Sequence, residues 1–412
     1  MELSKDKLMP IRGEVLHYAW GGDFYLPKLL NLPVKKGETY AEYWLGAHST
    51  GSAELISGGE EKILLKDYIQ AYPKETLGEK VVKQFGRLPY LLKILDVKDM
   101  LSIQVHPSKA NAQKEFEAEN QKGTELTDPE RNYKDDNHKP ELMVALSEFW
   151  LLHGFKPIKI LERILHEIPE LHFLVPVFGY GNYKALYQQV MEMPQAQVNR
   201  HLKTLLDRIV PHYQVDKLKK NKEDFWAARA ALTYSQKGDI DRGIFSIYFF
   251  NLLQVQPGQA IFQDAGVPHA YLEGQNVEIM ANSDNVLRGG LTPKHVDVPE
   301  LMKHLKFEPT VPRIIGGHAA DAATTVFPTP APDFELGRIH LLKGQELPMV
   351  SQSLQLFIVL EGTVEVIEKA RPGFNRKKGE AWVSFDTALS NLKALEDAVI
   401  YRAAIPGLKV EH

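Results

Sequence analysis

The sequence predicts a mainly β protein built as two jelly-roll-like β domains, with a helical subdomain inserted in the first. Three observations carry this expectation. A chain of 412 residues is too long for one small core. Short apolar runs bounded by glycine and proline recur in both halves. Between Ile158 and Tyr234 the apolar period lengthens to that of a helix. The expected division assigns 1–156 and 236–309 to the first β domain, 157–235 to the insert and 310–412 to the second β domain.

In chain order, residues 89–97 read as a buried strand, and 101–106 alternate strictly until Pro107 stops them. Residues 109–137 are polar and read as a partly helical excursion. The run Glu141 to Leu146 then reads as another strand, polar only at its first position. In the insert, Val198, Leu202, Leu205, Leu206 and Ile209 form one helical stripe, and 224–232 favour helix. Prolines 157, 169, 176, 194 and 211 are expected to divide this block into several helices. Strand signals resume near Gly243 and persist to Ile279. A proline-rich stretch from Pro293 to Pro332 reads as a linker between two bodies. The remainder shows short strands at 335–342, 355–360, 363–367, 381–385 and 398–403. A faint echo relates 257–262 to 378–383: nine residues on from Ala260 stands His269, and nine on from Ala381 stands Ser390.

Composition narrows the chemistry. Forty-nine basic residues against 53 acidic ones give a net charge of -4, which argues against a polyanion-binding surface. Cysteine is absent, so disulfides, thiolate zinc sites, iron–sulfur clusters and thiol nucleophiles are excluded. A metal would need His, Asp, Glu, Asn or Gln. The opening residues carry no signal-peptide pattern, and nowhere do about 18 uninterrupted apolar residues occur. A cytoplasmic protein is the expectation. No phosphate-binding Walker sequence is present, and no glycine fingerprint opens a helix after a strand.

Four stretches concentrate polar chemistry. In Gln104-Val105-His106, residues two apart on a strand face one way and can converge on one ion, although a polar surface face gives the same pattern. In Tyr133 to Glu141, seven of nine residues are charged, His or amide-bearing, yet an apolar strand follows at once. That density fits either a solvated charge run or a site rim, with Glu141 the best ligand candidate. His269 follows Pro268 after a glycine turn, and Glu278 lies nine residues on. Between Asn282 and Lys294, two glycines follow Arg288, which can fork onto a phosphate or carboxylate, with Lys294 as a further charge. An ordinary basic surface loop would look similar.

Taken together and in order, these stretches resemble type I phosphomannose isomerases, zinc-dependent enzymes of the cupin superfamily. The resemblance rests on residues 41–48, 101–107, 133–141, 268–272 and 283–294. It is most specific in Asn137-His138-Lys139-Pro140-Glu141 and in the Asp284 to Lys294 stretch; the insert and the last hundred residues agree in layout only. It implies two cupin domains and interconversion of mannose 6-phosphate and fructose 6-phosphate. It also implies one zinc ion on Gln104, His106, Glu141 and His269. One carboxylate among neutral ligands leaves a net charge of about +1, attractive to a sugar phosphate.

Such a reaction moves a proton between C1 and C2 through a cis-enediol, which needs a nearby cation and a tuned base. The resemblance places His138, Lys139, Glu278, Asp284 and Arg288 around the pocket, and leaves the proton carrier open among them. Arg288, with Ser102 and Lys294, is expected to hold the phosphate. The second β domain has no His-x-His pair and is expected to be metal-free. The expected partner is a small sugar phosphate, bound by a monomer or weak homo-oligomer. Two alternatives remain at this stage: a non-catalytic zinc cupin that binds or senses a sugar phosphate, and a metal-dependent cupin oxygenase.

Overall fold

The apolar run predicted as a buried strand forms Tyr90–Val97, buried at all eight positions and set inside a ten-stranded sheet. The computed structural model describes residues 6–56, 62–235, 238–368 and 373–407; the first five residues, part of the opening segment read above, lie outside this range. Tyr90–Val97 pairs on one edge with Glu42–Gly46 and on the other with the long strand His269–Ala281. That long strand serves two partnerships. Its second half runs against Tyr90–Val97 and Glu141–Ala145, and its first half against Phe149–Phe155 and Gln104–Val105. The handover occurs at a register shift between Tyr271 and Glu273, followed by Gly274 with a φ of +128°. A side chain there would meet the ring of Phe149 at 2.6 Å and the Glu148 carbonyl at 2.7 Å, so only glycine lets the strand bend at this point.

The helical block lies against this sheet. Its longest helix, Gln195–Gln214, buries Val198, Leu202, Leu205, Leu206 and Ile209, the predicted stripe. The helix continues through Pro211, where a break was expected. Proline there sits in the last turn and removes only one backbone donor near an already fraying end. A second difference is Gly243–Phe249, a helix where strand signals were read; the strand starts only at Phe250–Val255. All seven helical residues are buried, so the run is apolar on every side and carries no period that separates helix from strand. Of the predicted strand 101–106, only Gln104–Val105 pairs. The polar excursion contains the helix Lys109–Gln121, capped by the Ser108 side chain accepting from the Asn111 N–H.

The last hundred residues supply most of a nine-stranded sheet and a four-stranded sheet, with Val364, Val366, Leu392, Phe357 and Trp382 in the core between them. The strand Leu8–Arg12, from the start of the chain, belongs to that nine-stranded sheet and pairs with Ala381–Ser384. A shared apolar core joins the nine- and ten-stranded sheets. Within it the buried Tyr90 hydroxyl donates to the carbonyl of Leu354 at 2.9 Å and lies 3.1 Å from that of Ala403. Among the described residues no helix is long and apolar enough to cross a membrane.

Tyr90→Phe keeps the packing and removes the hydroxyl that these carbonyls share. It is expected to cost about 1–2 kcal/mol, read as a lower urea midpoint at unchanged slope. An unchanged midpoint contradicts this role.

Candidate metal centre

Strand pairing brings the polar stretches together. Gln104 lies opposite His269 on one side and opposite Arg288 on the other. Glu141 opens its strand opposite Gln263 and Met280. In consequence His106, Glu141 and His269 converge, with ligand atoms all within 4.8 Å of one another. They are 1%, 4% and 3% exposed. The Nε2 of His106 lies 3.4 Å from Glu141 Oε1, and the Nε2 of His269 lies 3.3 Å from Glu141 Oε2.

The far side of each ring decides its tautomer. Nδ1 of His106 is 2.8 Å from the Asn285 carbonyl, and Nδ1 of His269 is 3.0 Å from the Val267 carbonyl. A carbonyl accepts only, so each Nδ1 carries the proton and each Nε2 presents a bare lone pair. Burial pushes the His106 pKa down to about 4, keeping that ring neutral. Burial works against ionisation of Glu141, yet positive charge beside it, the Lys139 ammonium included, holds its carboxyl well below the usual range. The Lys139 ammonium is 3.5 Å from Glu141 Oε1. Two imidazole nitrogens and one carboxylate, dry and facing one point, fit a divalent cation of the zinc type.

A cavity of about 490 Å³ opens beside the cluster. Gln104, Lys139, Asp284, Arg288, Ser102 and Lys294 all line it. Burial lowers the pKa of Arg288; it also lowers that of Lys294, helped by the nearby guanidinium. A guanidinium that depresses the charge of the ammonium beside it marks a receptive place for an anion.

Two predicted residues stand apart from the cavity wall. His138 turns its Nε2 to Asp333 Oδ2, at 2.9 Å, in the chain's C-terminal part. Glu278 is buried, accepting from Lys93 Nζ at 3.0 Å and from the Tyr271 hydroxyl at 2.8 Å. The dense stretch before Glu141 is stitched to the opposite loop. Asp135 Oδ2 accepts from the Asp284 N–H at 2.7 Å, and the Asn285 amide donates to the carbonyls of Asp135 and Asn137. The charge run is therefore rim rather than solvated coil.

Lys93 is a polar partner that sequence reasoning passed over; Glu42 and His48 lie in the 41–48 stretch of the resemblance but carried no role there. Lys93 lies 3.0 Å from Glu278 and 3.6 Å from Glu42, and both Lys93 and Glu42 line the cavity. Burial opposes its charge, but Glu278 and Glu42 outweigh burial and raise its pKa. The available signal was a single lysine inside an otherwise apolar strand core. His48, buried and held below its usual pKa by that burial, faces Asp284 at 3.5 Å.

Comparison with known proteins agrees with this geometry. Residues 8–158 match the family profile described as phosphomannose isomerase type I, catalytic domain. The mannose-6-phosphate isomerase of Salmonella typhimurium is 34% identical over 372 residues, covering 89% of this chain and 92% of that protein. The Homo sapiens enzyme of the same name is 32% identical over 393 residues, covering 88% and 89%. A crystal structure of mannose 6-phosphate isomerase from Salmonella typhimurium, bound to fructose 6-phosphate and zinc, superposes with a TM-score of 0.86 at 30% identity. It covers 97% of this chain and 100% of that one.

The buried imidazoles set a pH dependence. His153, 2.7 Å from Gln263 Oε1, is pushed down to about 4 by burial, as is His106. Unfolded histidines titrate near 6.5, so between that value and about 4 the unfolded chain binds protons that the folded chain refuses. Stability of the metal-free protein is expected to be full above this window and to fall as pH drops through it. His153→Gln should lose less stability than wild type between about pH 7 and about pH 5 in urea titrations. Equal losses in the two proteins would contradict the assignment.

Proposed function

Because the chain belongs to the type I phosphomannose isomerase family, we propose that its cavity binds a sugar 6-phosphate beside one zinc ion and interconverts D-mannose 6-phosphate and D-fructose 6-phosphate. The observation that carries this is a sulfur-free metal cluster beside a cavity whose wall carries Arg288 and Lys294. We assign Gln104, His106, Glu141 and His269 as the zinc ligands. Gln104 completes the set because its strand position is opposite His269, and it lines the cavity beside the cluster. Zinc, when bound, supplies Lewis-acid stabilisation of the negative charge that develops on the C1 and C2 oxygens.

The chain's own residues do the rest. Arg288, with Lys294 and Ser102, holds the phosphate and so fixes the sugar's far end. In the open chain a base takes the C2 proton while the C1 oxygen gains one, giving the cis-enediol. A proton delivered to C1 and one taken from the C2 oxygen complete the ketose. Lys139 is the acid/base group best supported by position, since it lines the cavity and lies beside Glu141. Asp284, on the wall and backed by His48, suits proton traffic during ring opening. Glu278 acts from behind, through Lys93, and His138, its ring set on Asp333, anchors the stretch that carries Lys139. Residues 310–412 serve as a metal-free support. We further read the protein as cytoplasmic, a monomer or weak homo-oligomer acting on a small metabolite. Its near balance of 49 basic and 53 acidic residues suits no nucleic-acid or membrane partner.

A coupled assay should detect fructose 6-phosphate from mannose 6-phosphate, with turnover abolished by a chelator and restored by zinc. Folded, zinc-loaded protein without turnover would favour a binding or sensing role instead. Glu141→Ala should lose the bound zinc; retention of one tightly held zinc would remove Glu141 from the ligands. Arg288→Ala should raise KM roughly ten- to hundred-fold. A fall in kcat alone would contradict the phosphate role.

A further inference from the structure

Asp241 lies between the helices Glu223–Tyr234 and Gly243–Phe249, outside every stretch that the metal chemistry uses. Its carboxylate is partly buried and accepts three backbone N–H groups. Oδ1 takes those of Gly243 at 2.7 Å and Leu291 at 2.9 Å, and Oδ2 takes that of Thr292 at 3.1 Å. Two of the three donors belong to the Arg288–Lys294 segment. Leu291 holds a φ of +54°, a left-handed conformation that costs a residue with a Cβ roughly 1 kcal/mol or more and needs outside support. Beside it Gly290, at φ +117°, packs so closely on Gly243 that a side chain would meet Gly243 Cα at 2.6 Å.

The same segment borders two cavities. Thr292 and Pro293 line the substrate cavity and also a second cavity of about 500 Å³ bounded by Asp241 and Arg242. Open space beside the turn leaves it room to shift unless something holds it. Pairing to Gln104–Val105 holds the Arg288 end. At the other end the Lys294 N–H donates to Thr292 Oγ1 at 3.1 Å, so Lys294 follows Thr292. The Thr292 N–H, in turn, is held by Asp241.

We propose that Asp241 is a positioning residue for phosphate recognition: standing just before the helix Gly243–Phe249, it pins the Leu291–Thr292 turn and sets Lys294 against the phosphate. This rests on the proposed phosphate role of Arg288 and Lys294. It makes the approach to the helix Gly243–Phe249 part of the specificity machinery.

Asp241→Asn turns one accepting oxygen into an amide NH₂ that faces a backbone donor. In the zinc-loaded enzyme, KM for mannose 6-phosphate and the inhibition constant for inorganic phosphate should both rise roughly five- to thirty-fold. Turnover should stay within about two-fold and zinc content should not change. In a Lys294→Ala background the same substitution should add little, because the group it positions is gone. An equal rise in both backgrounds, or a fall in kcat at unchanged KM, overturns the proposal. Should Arg288→Ala weaken phosphate inhibition while Asp241→Asn does not, only the positioning role fails. Should none of the three variants affect phosphate inhibition, the phosphate reading itself fails and this proposal with it. Amide exchange in the wild-type protein tests the staple without a variant. Leu291 and Thr292 should be protected at least about a hundred-fold, and exchange at open-loop rates overturns the proposal.

Discussion

Everything at the centre of this molecule depends on one buried carboxylate facing two imidazole lone pairs. Glu141 sits between His106 and His269, and both rings are turned by backbone carbonyls so that Nε2 is bare on the side facing it. Lone pairs and a carboxylate repel in a dry site, and burying an ionised acid costs several kcal/mol unless it is compensated. The arrangement becomes favourable only with positive charge at the point where the three groups meet. Lys139 provides part of it from the cavity side. A divalent cation provides the rest. The fold's less obvious features serve that convergence: the bend at Gly274 allows one strand to carry His269 against Gln104 and Met280 against Glu141.

Behind the cluster a second polar layer is balanced internally. Lys93 answers both Glu42 and Glu278, and Tyr271 donates to Glu278. Truncating either side of such a pair leaves an uncompensated buried charge. This layer lets the cavity carry Lys93 and Glu42 on its wall while its net charge is set by the metal, Lys139, Arg288 and Lys294. Positive potential is thus local, which is why a chain with a slight acidic excess can still attract an anionic sugar.

Much of this was legible in the sequence, and the failures have physical causes. The buried strand Tyr90–Val97 and the helical stripe from Val198 to Ile209 are periodic signals, and both formed as read. Gln104, His106, Glu141 and His269 stood out through residue type and setting, and their stretches are brought together by strand pairing. The helix Gly243–Phe249 was misread because burial on every side erases the period. The pairing of Leu8–Arg12 with Ala381–Ser384 joins the two ends of the chain, and no local pattern encodes so distant a partner. Lys93 escaped notice because one lysine in an apolar run reads as an interruption; its meaning lies in Glu278 and Glu42, on separate strands. His138 stood in the most specific stretch of all, yet its ring is turned to Asp333 by a contact that chain order cannot reveal.

The most direct test of the account is anomalous diffraction at the zinc edge from crystals grown with zinc. The account predicts one dominant peak about 2.0–2.2 Å from the Nε2 atoms of His106 and His269 and from a carboxylate oxygen of Glu141, with Gln104 as the fourth protein ligand. A strong peak elsewhere, or none at these atoms in active enzyme, would contradict it.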